Sequence, residues 1–170
     1  GDFSMRAKIQ HVQEFSRWVN SLPHKHKIIV PGNHDTACET NSKSMMKDMF
    51  GPAVYLDHEY HQIDGVVFFG SPYTSAITDP SDWSFDYPRG GHRGVRLGEH
   101  GILDRVSDPH VGEDPHVGEK GINNIIEKYN PKLHIFGHIH EGYGCVKKQG
   151  TSHYNVSVCT EQYKPTNPIT

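Results

Sequence analysis

A chain of 170 residues with 34% hydrophobic content can enclose one continuous core, and a second full domain would be cramped. The formal net charge of -3 supplies no broad basic field, which argues against a nucleic-acid surface that tracks backbone phosphates. Cys38, Cys145 and Cys159 are odd in number and lack CxxC spacing, so neither a disulfide framework nor a zinc cluster is indicated.

From the first residues onward, Ser4 can cap a helix whose apolar positions Ile9, Val12, Phe15, Trp18, Val19 and Leu22 recur at three- and four-residue steps and stop near Pro23. Lys27 to Val30 is a short apolar, β-branched run halted by Pro31-Gly32, which predicts a buried strand emptying into the loop Gly32-Asn33-His34-Asp35. Ser42 to Phe50 predicts a second helix, ended by Gly51-Pro52. A strand at Val54–Leu56 is followed by a hairpin that pairs Tyr60–Ile63 with Val66–Phe69 about an Asp64-Gly65 turn.

Ser71 to Glu119 is rich in Gly, Pro, Asp and His and has little periodicity, the signature of a long irregular loop region. Within it the hexapeptide Asp108–Glu113 is repeated directly as Asp114–Glu119, which reads as a loop insertion because one repeat is far too short for a solenoid. Regularity returns with a helix over Gly121–Tyr129, carrying Ile122, Ile125 and Ile126 on one face and closed by Asn130-Pro131. Lys132 to Phe136 predicts a second buried strand, running into Gly137-His138-Ile139-His140. Tyr143–Lys147 and Ser152–Val158 read as an antiparallel pair turning near Gln149-Gly150, and Lys164–Thr170 as an extended surface tail.

Two strands therefore end in glycine-led polar loops, and in helix-covered sheets ligand sites gather at the carboxyl ends of strands. The 14 histidines raise the expectation of a metal site, and in an extended segment His138 and His140 share a face. An isolated Asn-His after a strand is ordinarily a turn element. Gly1-Asp2, Gly32-Asn33-His34-Asp35 and Gly137-His138-Ile139-His140 nevertheless form an ordered set that is hard to obtain by accident.

That set resembles the calcineurin-like metallophosphoesterases, whose pattern is Asp-x-His, Gly-Asp, Gly-Asn-His-Asp/Glu, a lone His and Gly-His-x-His. Leu133-His-Ile-Phe-Gly-His-Ile-His-Glu-Gly-Tyr-Gly144 and Lys164-Pro-Thr-Asn-Pro168 look like the branch related to class III cyclic nucleotide phosphodiesterases. The resemblance implies an α/β fold, a four-layer α-β-β-α sandwich of two mixed sheets flanked by helices, shortened here, in one domain over residues 1–170. It implies that Asp2 bridges two divalent ions, that Asn33 and His138 bind the second, and that His140 binds the first. His34 would be the general acid at the leaving group, oriented by Asp35. The family's lone His is best matched by His100, with His92, His110 and His116 as rivals. The Asp-x-His element would precede Gly1, and the expectation is a sequence incomplete at its start and shortened before His100.

The implied activity is hydrolysis of a phosphodiester, a cyclic nucleotide or other nucleotide ester, by a dimetal-bound hydroxide. Two ions about 3.5–4 Å apart can activate a water and neutralise phosphoryl oxygens. Mixed nitrogen and oxygen donors suit manganese, iron or zinc better than calcium. A carboxylate such as Asp35 would raise the pKa of His34 and favour the proton-donating imidazolium. Tyr73, Trp83, Phe85 and Tyr87 could stack a base or cover the core edge. Two rival readings are a catalytically impaired metal- or nucleotide-binding remnant and a mononuclear histidine metal sensor. The expected partner is a small phosphate ester, with no membrane partner. Neither an apolar span nor a signal peptide is visible, and the cysteines favour a reducing, cytoplasmic setting.

Overall fold

The structure is a computed structural model and describes residues 1–6, 8–75, 84–87 and 120–168. His92, His100, His110, His116, Trp83 and the repeat at 108–119 lie outside the described residues. The chain forms two compact units, Gly1–Gly91 and His92–Thr170. It is of the α/β class, combining helices with parallel, antiparallel and mixed sheets.

In the first unit, helix α1 (Ile9–Ser21) begins at Lys8, which makes no side-chain cap bond, so Ser4 does not cap it. Val12, Ser16 and Val19 form its buried face, and Trp18 is 56% exposed, turned away from the core that the apolar spacing had assigned it to. Strand β1 (Ile28–Ile29) leads into α2 (Thr36–Thr40) and α3 (Lys43–Phe50), and β2 (Val54–Tyr55) returns parallel to β1 with Ile28 beside Val54 and Ile29 beside Tyr55. Ser42 caps α3, its side chain accepting from the Met45 N–H at 3.2 Å. The short helix α2 has no apolar periodicity to announce it. Only one face of β1 is covered: Ile29 is buried and Ile28 is not, in contrast to the fully buried strand that its composition suggested.

Helices α1 and α3 pack around Val12, Val19, Met46 and Phe50, with Ile29 and Tyr55 beneath them. The Phe50 ring stacks on Tyr55 at 5.2 Å and meets Phe3 and Phe15 edge-on at 6.0 and 6.2 Å. Ser16 and Asn20 of α1 donate to the Met49 and Phe50 carbonyls, at 2.7 and 2.8 Å. These bonds satisfy carbonyls that the end of α3 leaves without helical partners.

Strands β3 (Glu59–Ile63) and β4 (Val66–Gly70) form the expected hairpin, and φ values of 48° at Asp64 and 82° at Gly65 are those of its tight two-residue turn. Two short parallel strands, β5 (Thr74–Ser75) and β6 (Asp86–Tyr87), lie in the stretch read from sequence as irregular. Phe85 is buried with Tyr73 edge-on to it at 5.6 Å, so these two aromatics close the core rather than offering a stacking surface.

In the second unit, α4 (Lys120–Tyr129) ends at Asn130, whose φ of 42° and N–H bond to the Ile126 carbonyl at 2.7 Å close the helix. Ile126 is buried; the side chain of Ile122 is outside the described set. Strands β7 (Leu133–Phe136), β8 (Gly144–Lys148) and β9 (Thr151–Asn155) make a mixed sheet in the order β7-β9-β8, parallel between β7 and β9 and antiparallel between β9 and β8. The β8–β9 turn has φ of 50° at Gln149 and 93° at Gly150, as the hairpin pattern required. Strand β7 is not a buried strand: Leu133 and Ile135 are 52% and 59% exposed, and it is the alternate positions, His134 and Phe136, that turn inward beside His153 and Asn155. Residues 160–163, just before the tail, turn back on themselves, with the Tyr163 N–H on the Thr160 carbonyl.

His134 and His153 sit side by side on β7 and β9, their Nδ1 atoms 3.2 Å apart and their rings edge-on. One nitrogen must donate and the other accept, so the accepting ring is neutral. Burial, followed by the neighbouring His153, pushes His134 down to about 4. Burial and then Lys148 lower His153.

Two outcomes are expected. Phe50→Ala should lower the unfolding free energy by about 3–5 kcal/mol in urea titrations, as for other buried aromatics; a loss below about 1 kcal/mol would mean that the aromatic cluster is not the keystone of this unit. The depressed histidines bind protons more readily in the unfolded chain, so stability should hold above pH 6.5 and decline as pH falls toward 4. His134→Gln should flatten that slope, and an unaltered slope would place its origin elsewhere.

Candidate metal centre

Parallel pairing of β1 and β2 sends both strands out of the same edge of the first unit, β1 into Val30–Asp35 and β2 into Leu56–His58. The end of β4 joins them. Gly70 lies so close that a Cβ there would be 2.6 Å from Leu56 Cβ and 2.8 Å from Val30 Cγ2. Three strand ends thus present Asn33, His34, Asp35, Asp57, His58 and Ser71 along one edge.

Asp35 organises this edge. It is fully buried, and its Oδ2 accepts from the Gly32 N–H at 2.8 Å and from the Asp2 N–H at 2.9 Å, while its Oδ1 accepts from the Ser4 hydroxyl at 2.7 Å. The Asp35 N–H in turn reaches the Gly32 carbonyl at 3.0 Å, closing the loop upon itself. Burial raises the Asp35 pKa, opposed by the bonds from Gly32 and Ser4. Because its side chain is engaged with the loop and the first residues, it gives α2 no side-chain cap.

Asp2 is held from both ends. Its N–H is on Asp35, and its Oδ1 accepts from the His34 N–H at 3.1 Å. A Cβ on Gly32 would collide with Asp2 Oδ1, so this packing admits only glycine at position 32. Asn33 is buried, and its carbonyl accepts from the Ser84 N–H at 3.0 Å. His34 is half-buried, with Nδ1 3.1 Å from the Met5 sulfur. Asp2, Asn33, His34 and Asp35 are therefore neighbours within one unit.

His138 and His140 belong to the second unit. The expectation that they lie on one face of an extended segment does not survive: His138 has a φ of 75°, and His140 opens a 3₁₀ turn (His140–Gly142). The loop between them is pinned instead at Ile139, whose carbonyl accepts from Asn155 Nδ2 at 2.7 Å. Asn155 is buried and its Oδ1 accepts from the Ser157 N–H at 3.0 Å. His140 Nδ1 is 3.0 Å from the Thr160 carbonyl, which can only accept, so Nδ1 carries the proton and the Nε2 lone pair is left for another partner. The Tyr163 ring stands edge-on at 5.1 Å.

Metal-ligating histidines ordinarily bond their second ring nitrogen to a carbonyl or carboxylate in this way. The first unit offers a carboxylate and a buried amide, and the second unit, taken by itself, an imidazole of fixed tautomer; each is a donor type that divalent ions accept. Among the described residues, no three His, Cys, Asp or Glu side chains are grouped as a metal cage, and His100 lies outside that set.

Sequence reasoning missed Ser4, which it assigned to a helix cap, and the pair His58 and Ser71, 3.0 Å apart at the same strand edge. Burial and then Lys43 lower the His58 pKa. The signal was available in the strand at Val54–Leu56, which runs into Asp57-His58 much as Ile28–Val30 runs into its own polar loop. No helix among the described residues is long and apolar enough to cross a membrane.

Comparison with known proteins identifies the family. The chain is 27% identical to metallophosphoesterase domain-containing protein 1 of Homo sapiens and of Mus musculus, over 99% of its own length and 61% of theirs. It thus spans about three fifths of those relatives. A solved crystal structure superposes with a TM-score of 0.59 at 22% identity, over 88% of this chain and 63% of that one, which speaks for the fold. The model of the calcineurin-like phosphoesterases matches residues 1–142, which include Asp2, the Gly32–Asp35 loop and both histidines of the later motif; the chain belongs to the calcineurin-like phosphoesterase family.

Proposed function

We propose that this chain is a metal-dependent phosphoric ester hydrolase acting on a phosphodiester, a cyclic nucleotide or small nucleotide ester, with two divalent ions of manganese, iron or zinc. Asp2, Asn33, His138, His140 and His100 are the proposed ligands. The observation that carries the reading is the bond from the His34 N–H to Asp2 Oδ1, which ties the proposed bridging carboxylate to the residue that meets the leaving group.

Two bound ions supply a nucleophile at neutral pH and offset the charge on the phosphoryl oxygens. The chain's own part is positional. Asp2 is fixed by its amide and by one carboxylate oxygen, leaving Oδ2 for a ligand role. Asn33 contributes a neutral oxygen that does not add to the negative charge facing an anionic ester. His140 offers Nε2 in a single tautomer. His34 donates a proton to the departing alkoxide, and Asp35 acts by holding the turn on which His34 is carried.

The test combines metal content per chain with hydrolysis of bis-p-nitrophenyl phosphate. Two ions and turnover are expected, and one ion without turnover would favour the impaired binding remnant instead. Chelation should abolish hydrolysis and added Mn²⁺ should restore it. His34→Ala should lower turnover by about 10²–10⁴-fold while keeping its metal, the usual range for a lost proton donor. Asp2→Ala should lose both metal and turnover. Equal metal loss in the two variants would defeat the separation of roles.

A further inference from the structure

We propose that Ser4 is a positioning residue for the carboxylate of Asp2, a proposed metal ligand, acting through Asp35. The proposal rests on the metal-dependent reading above. Ser4 lies five residues before helix α1, which starts at Ile9 with Lys8 at its cap position, so its hydroxyl serves no helix end. It is spent on Asp35 Oδ1 at 2.7 Å.

The torsion about a carboxylate's last bond is soft, and buried carboxyl oxygens are oriented by their donors. Ser4 fixes Oδ1, and this leaves Oδ2 facing the amides of Asp2 and Gly32. The Asp2 amide needs that partner because Asp2 holds a φ of 58°, a conformation that a non-glycine residue keeps only under restraint. With the alanine side chain at position 4, Oδ1 has no hydroxyl to meet. The carboxylate is then free to turn, and Asp2 loses the anchor that aims its own carboxylate.

The experiment is calorimetric titration of the full chain with Mn²⁺. Ser4→Ala should weaken Mn²⁺ binding about tenfold or more, as expected for loss of a hydrogen bond to a charged group. Ser4→Thr, which keeps the hydroxyl, should bind as the parent does. Ser16→Ala is the control for stability alone, since Ser16 is buried and donates to the Met49 carbonyl at 2.7 Å in the packed interface of α1 and α3. It should leave the affinity unchanged. Should the alanine chain not fold, Ser4→Cys keeps the volume with a much weaker donor and takes its place. Parental affinity in Ser4→Ala, or equal weakening in Ser4→Ala and Ser16→Ala, would overturn the role of Ser4. If Asp2→Ala still loses Mn²⁺ in that case, the metal reading stands without it. Absence of Mn²⁺ binding by the parent chain would overturn both.

Discussion

A carboxylate out of reach of water must find donors or distort its surroundings, and the first unit is arranged around one such group. Asp35 draws three donors from two stretches of chain: the Gly32 amide within its own loop, and the Asp2 amide and the Ser4 hydroxyl from the first residues. Apolar packing of α1 on α3 brings these stretches near one another, but it has no directional preference that could orient Asp2. The buried charge supplies direction. It also explains why Gly32 must lack a side chain, since the first residues and the loop are drawn into contact at that point.

The second unit solves the same problem with neutral groups. Its loop between His138 and His140 is fastened at the middle residue, where the Ile139 carbonyl receives the Asn155 amide, and Asn155 is itself held by the Ser157 N–H. The inward positions of β9 are Thr151, His153 and Asn155, polar side chains that trade close apolar packing for hydrogen bonds. Such a sheet is rigid where those bonds are complete and sensitive to whatever alters them.

Much of this architecture was legible in the residues. Both hairpins announced themselves through Asp64-Gly65 and Gln149-Gly150, because a tight two-residue turn needs backbone angles that few side chains tolerate. The two glycine-led loops were legible for the same reason that strands end where they do, and the family pattern followed from their order. What could not be read was local competition for side chains. Ser4 looks like a cap until the Asp35 carboxylate is seen to claim it, and Asp35 looks like a partner for His34 until its oxygens are found on Asp2, Gly32 and Ser4. Likewise, β-branched and apolar composition could not say which face of β1 or β7 would be covered, since that depends on the elements packed against them. The period-two argument for His138 and His140 failed because the strand stops before them, and the left-handed backbone at His138 breaks the alternation.

The bond from His140 to the Thr160 carbonyl spans 20 residues and joins the last ring of the Gly-His-x-His motif to an exposed turn. The tautomer and the aim of that imidazole are thereby set outside the motif that names it. Substitutions or proteolytic nicks around residues 160–163 would consequently change the tautomer and orientation of an imidazole far upstream in the chain. The motif marks where the ring is; its downstream neighbour governs how the ring behaves.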